Sequence, residues 1–129
     1  MLENKLTGSL EDYLEAIYML EKSNERVRIT DIAVKLKLSK PSANKAINLL
    51  KNSELVNHEK YGNIVLTEKG RTIAKEIYYM HETLKEFLIN ELEIDPEVAE
   101  HEACGIEHVI SKDSLNKLVM YSKRKNKSI

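Results

Sequence analysis

A chain of 129 residues with 42% apolar side chains can bury the core of one domain or of two small helical lobes, and nothing in it requires a large enzyme. The net charge of -1 conceals segregation: from Lys35 to Lys60 six lysines stand against two glutamates, whereas from Glu76 to Glu107 ten acidic residues stand against Lys85 alone. One cysteine, Cys104, excludes an internal disulfide, and no segment approaches the ~20 apolar residues that cross a bilayer. With no basic head and apolar run at its start, the chain is expected to be cytoplasmic and to have no membrane partner.

Glycine and proline are sparse, so the few breakers mark boundaries in a mainly α chain. Leu10, Tyr13, Leu14, Ile17 and Leu20 recur at helical spacing and predict a first helix over about 9–22, capped by Ser9. A second, shorter helix opens at Thr30, which can cap the amides ahead of Ile32 and Ala33, and ends near Lys37. Ser39 and Pro41 open a third, which Ala43, Ala46, Ile47, Leu49 and Leu50 carry to about Ser53. Two strand signals, 55–59 and 63–67, flank Lys60-Tyr61-Gly62 and predict a β-hairpin. Thr67 then caps a long helix to about Asn90, Asp95-Pro96 opens a fifth, and Ser111 caps a sixth.

Three helices followed by a hairpin describe a winged helix-turn-helix over 1–70, with a helical domain over 71–129. In such a module the third helix enters the major groove and the wing follows the backbone. Ser39, Pro41, Ser42, Asn44, Lys45 and Asn48 are the candidate contacts with double-stranded operator DNA. Asn44 suits an adenine edge, Pro41 and Ser42 a thymine methyl, and Lys45, Lys51 and Lys60 suit phosphates. The competing reading is an ordinary solvated lysine face.

On the fifth helix Glu100, His101, Cys104, Glu107 and His108 share one stripe, while Val98, Ile106, Val109 and Ile110 occupy the other side and are expected to pack. Enclosing an ion takes ligands from further helices. Asp12 and Glu15, three residues apart on the first helix, and His81, at the edge of the apolar face of the long helix, are the candidates. Taken singly, each has a plainer reading as a solvated pair, a core histidine or a buried thiol. Together, two carboxylates, two imidazoles and a thiol without cationic neighbours call for a divalent cation.

The segment Leu10-Glu11-Asp12-Tyr13-Leu14-Glu15-Ala16-Ile17-Tyr18-Met19-Leu20, the motif Leu66-Thr67-Glu68-Lys69-Gly70, His81 within Tyr79-Met80-His81-Glu82, and Gly105-Ile106-Glu107-His108 resemble the diphtheria toxin repressor family of metal-dependent regulators, particularly its short manganese-transport-regulator branch. The resemblance covers nearly the whole chain. It implies a homodimer that binds operator DNA when loaded with Mn(II) or Fe(II) and represses metal-uptake genes. It also implies that Asp12, Glu15, His81, Glu107 and His108 are ligands. Cys104 stands where the manganese branch has glutamate and matches the iron branch, which has methionine in place of Asp12. Lys85 and Glu100 replace an acidic residue and a histidine of an ancillary site in the iron branch, and the barrel-like domain which that branch appends is not expected here.

A thiolate at Cys104 draws preference from Mn(II) toward Fe(II), Co(II), Ni(II) or Zn(II), so Mn(II) and Fe(II) stand level as cofactors. Leu84, Phe87, Leu88, Leu115, Leu118 and Val119 are expected to form the dimer surface, the core of the second lobe, or both. The alternative function is a metal-independent winged-helix regulator sensing an organic ligand or oxidation at Cys104. An enzyme is not expected, because no second constellation supplies substrate binding or a general acid.

Overall fold

The computed structural model describes residues 7–59 and 62–127 and divides into two compact units, Met1–Glu76 and Ile77–Ile129. The first opens with α1 (Gly8–Ser23), whose cap is Thr7 rather than Ser9: the Leu10 amide donates to Thr7 Oγ1 at 3.2 Å. Both hydroxyls precede the apolar run, and the one that lengthens the helix by two residues takes the role. In α2 (Ile29–Leu36) Thr30 lies inside the helix, and the Asp31 carboxylate closes the N-terminus by accepting from the Arg28 amide at 2.9 Å. Lys37, at φ 58°, adopts the left-handed conformation that stops α2. Ser39 caps α3 (Lys40–Asn52), accepting from the Ser42 amide at 3.2 Å, with Pro41 in the first turn.

Strands β1 (Val56–His58) and β2 (Ile64–Leu66) pair antiparallel in the register Val56↔Leu66, and Gly62, at φ 77°, serves the turn. The Ile64 amide donates to the Val27 carbonyl at 2.7 Å, and the Val27 amide to Asn63 Oδ1 at 3.0 Å, which ties the wing to the segment ahead of α2. Tyr13, Leu14, Ile17, Ile32, Ile47, Leu50, Val56 and Ile64 fill one core.

Thr67 caps α4 (Glu68–Leu92), accepting from the Gly70 amide at 3.0 Å and donating to the Glu54 carbonyl at 2.8 Å. A Cβ on Gly70 would lie 2.0 Å from the Leu55 carbonyl oxygen, so only glycine permits this approach of helix to wing. Arg71 adds a fork to Glu21 with nitrogen–oxygen distances of 2.6 and 3.2 Å.

In the second unit, Glu93 at φ 54° and a 3.0 Å bond from the Ile94 amide to the Leu88 carbonyl end α4. Asp95 caps α5 (Pro96–Glu107), and Ser111 caps α6 (Lys112–Lys127) through the Ser114 amide at 3.0 Å. Its core joins Leu84, Leu88, Ala99, Ala103 and Leu115. The packed side of α5 is therefore an alanine stripe, continued by the partly buried Ile106 and Ile110. Val98 and Val109, expected inside, are 45% and 83% exposed. Alanines let a helix approach closely, and the packed arc turns away from the valines toward Glu107. No helix among the described residues is long and apolar enough to cross a membrane.

Candidate metal centre and nucleic-acid interface

The third helix separates its polar from its apolar residues, except that Leu49, expected on the packed face, is 47% exposed. Ala43, Ala46, Ile47 and Leu50 are buried, while Ser39, Pro41, Ser42, Asn44, Lys45, Asn48 and Lys51 are exposed. The apolar set anchors the helix, and the polar set stands free of the core on its outer side. Ser39 and Ser42 have a structural task as well, since their hydroxyl oxygens lie 2.9 Å apart within the cap. Lys40, in the first turn, is a further exposed cation on this face. Lys60, the expected phosphate contact of the wing, lies outside the described residues.

On α1, Asp12 is half-buried and Glu15 only 6% exposed. A carboxylate withdrawn this far from water is not a solvated surface group, and its charge demands compensation.

In the second unit, α5 brings Cys104, Glu107 and His108 together, with their ligand atoms within 4.8 Å of one another. His108 is the residue that ends the helix and keeps helical φ and ψ, so the stripe continues through it. Glu107 is 5% exposed. Its Oε1 lies 2.6 Å from His81 Nδ1, and its Oε2 lies 3.6 Å from His108 Nε2. Among the described residues no hydrogen-bond donor reaches Oε2, although it is buried. Such an orphaned carboxylate oxygen is costly, and a cation beside it removes the cost.

The imidazole of His81, 2% exposed, stands between two carboxylates: Nε2 lies 2.9 Å from Glu100 Oε2. Each ring nitrogen thus faces one carboxylate, and the tautomer sets which of them donates. The other Glu100 oxygen lies 3.0 Å from Lys85 Nζ. Burial opposes ionisation of Glu100, but the hydrogen bonds from His81 and Lys85 outweigh it and hold the carboxyl below the usual glutamate range. The same bond to Glu100 raises the Lys85 ammonium above the ordinary lysine range. Periodicity does not pair these residues, since α4 and α5 have none in common; the resemblance put Lys85 and Glu100 at one ancillary site, and the structure adds their bonds to each other and to His81. His101 and Glu102 are exposed and belong to no ligand-capable group among the described residues.

The six expected dimer residues divide. Leu84, Leu88 and Leu115 are core, whereas Phe87, Leu118 and Val119 line a groove of about 610 Å³ beside the 56%-exposed Tyr79.

Residues 5–64 match the iron dependent repressor N-terminal DNA binding domain, and residues 67–127 match the iron dependent repressor metal binding and dimerisation domain. The HTH-type transcriptional regulator MntR of Bacillus subtilis is 38% identical over 112 residues, which is 87% of this chain and 78% of that protein. An uncharacterised HTH-type transcriptional regulator of Methanocaldococcus jannaschii is 37% identical over 120 residues, covering 92% and 96%. Among solved structures, the manganese regulator SloR is similar with a TM-score of 0.80 and 30% identity over 88% of this chain. T. acidophilum IdeR has a TM-score of 0.78 and 26% identity over the same share. The chain spans about half the length of each of these two, 53%. It thus belongs to the diphtheria toxin repressor family of metal-dependent DNA-binding repressors, in the manganese-regulator branch.

Proposed function

We propose that the chain represses metal-uptake genes when it is loaded with Mn(II) or Fe(II), with α3 in the major groove of operator DNA and a homodimer formed through the second unit. Phe87, Leu118 and Val119 supply apolar surface for the dimer. Cys104, Glu107 and His108 hold the ion, together with His81 and with Asp12 and Glu15 from α1. When bound, the ion supplies a compact positive charge that joins ligands of different helices.

The observation that carries this reading is the buried Glu107 Oε2, left without a donor beside a thiol and an imidazole. Asp12 and Glu15 belong to the unit that carries α3, so engaging them restricts the reading head. Two heads must match half-sites about 34 Å apart on the duplex, and restricted heads do so more often. The coupling is reciprocal, so operator DNA tightens ion binding by the same factor. Hard oxygen ligands suit Mn(II), while the Cys104 thiolate shifts preference toward Fe(II). The ion-binding residues serve regulation here rather than turnover.

The test is DNA binding by chelated protein titrated with Mn(II), Fe(II), Co(II) or Zn(II), on a duplex selected from a random pool by the Mn(II)-loaded protein. The expectation is affinity raised by a factor on the order of 5 to 150. Cys104→Glu should move the ion ranking toward Mn(II), and Asp12→Met toward the softer ions. Equal binding with and without every ion would reject the switch and favour a metal-independent regulator.

A further inference from the structure

His81, Glu82 and Glu100 each present one ligand atom, all within 4.8 Å of one another, so α4 and the start of α5 form a second donor cluster beside the Cys104–Glu107–His108 set. His81 Nε2, on a side chain 3% exposed, faces Glu100. Nothing in the donor chemistry forbids an ion there, since an imidazole nitrogen and two carboxylates are a common divalent set. The cluster also contains its own cation. Lys85, one helical turn after His81 and Glu82, places Nζ 3.0 Å from Glu100 Oε1 while His81 occupies Oε2 at 2.9 Å.

We propose that Lys85 is a tethered substitute for a second divalent cation, which keeps the His81–Glu82–Glu100 cluster closed to metal and limits the number of ions that the chain takes. Both Glu100 oxygens are engaged, one by the ammonium and one by the imidazole, so an ion that takes His81 Nε2 and a Glu100 oxygen must break the bond between them and compete with the ammonium for the carboxylate. It must also sit within a few ångströms of the Lys85 ammonium, a repulsion that water screens in part, since the Lys85 and Glu100 side chains are 31% and 49% exposed. What distinguishes this pair from an ordinary surface ion pair is that its carboxylate also holds the buried His81. A second consequence concerns orientation. With Lys85 fixing Glu100 and Glu100 holding Nε2, the ring presents Nδ1 toward Glu107.

The test counts Mn(II) bound per chain by equilibrium dialysis, with circular dichroism melts to verify folding. The proteins are the intact chain, Lys85→Glu, Lys85→Met and the double variant Lys85→Glu/Glu100→Gln. Lys85→Glu should bind one more Mn(II) than the intact chain. In Lys85→Met, which removes the charge and retains the stem, any additional Mn(II) should bind at least about tenfold tighter than in the intact chain, about 1.4 kcal/mol. The double variant should return to the original count. Identical counts and affinities in the intact chain and the folded Lys85 variants would overturn the proposal, as would an extra ion that survives Glu100→Gln. The result is separable from the reading above: an intact chain that binds no Mn(II) defeats that reading, whereas only the difference made by Lys85 bears on this one.

Discussion

The two units differ in where they keep their polar chemistry, with the buried Glu15 of α1 the exception in the first. In the N-terminal unit the hydrophobic cluster is wholly apolar, and the candidate DNA contacts stand outside it on α3. In the C-terminal unit the cluster is smaller, relies on Ala99 and Ala103, and lies beside the buried His81 and Glu107. A DNA reader must leave its polar groups in water until phosphate and base edges replace that water. A metal centre instead needs ligands withdrawn from water and already oriented, at a cost in stability that the ion offsets. The apolar core of the first unit should therefore hold without DNA or metal, whereas the ion-binding residues, the buried Glu15 of α1 included, should gain stability from the ion.

The largest expected effect tests the apolar side of this contrast. Leu50 is fully buried, and Leu50→Ala should destabilise the N-terminal unit by about 2–5 kcal/mol in urea unfolding, with or without metal. A loss that appeared only in metal-free protein would break the comparison.

Next comes the buried carboxylate. At Mn(II) about a hundredfold above its dissociation constant, the intact protein should gain about 2.7 kcal/mol of unfolding free energy. Glu107→Gln should abolish most of that gain while leaving the metal-free protein close to its original stability, because the amide oxygen can still accept from His81 Nδ1 and among the described residues Oε2 has no donor to lose. Calorimetric melts of both proteins, with Mn(II) and with chelator, decide the matter.

Gly70→Ala forces a Cβ against the Leu55 carbonyl and should cost about 1–3 kcal/mol, since the wing and the start of α4 must separate. Hydrogen exchange should show the loss at Thr67 and Leu55 first. The smallest effect is on the DNA face: Lys45→Ala should leave folding untouched and flatten the salt dependence of duplex binding by about one unit of slope. An unchanged slope would remove Lys45 from the phosphate contacts.

Much of the fold was legible in the chain. The order of helices and hairpin follows from apolar spacing, and Ser39, Thr67, Asp95 and Ser111 take up the caps that their positions suggested. Where caps were misread, at Ser9 and Thr30, two hydroxyls or a hydroxyl and a nearby carboxylate competed within one turn. Local pattern does not rank such neighbours. The α5 donor stripe was legible too, but its packed side was not: the two exposed valines looked more apolar than the alanines that in fact approach the core.

The sequence by itself determined what is local: helical periodicity, turn chemistry, and the separation of α3 into an apolar and a polar face, because these depend on residues a few positions apart. Tertiary structure decided what depends on distance between elements. It made Gly70 obligatory against Leu55, joined Lys85 and His81 through Glu100, and withdrew Glu107 from water. Burial and pairing are set by which helices meet and how closely, and no spacing along a single chain encodes those distances.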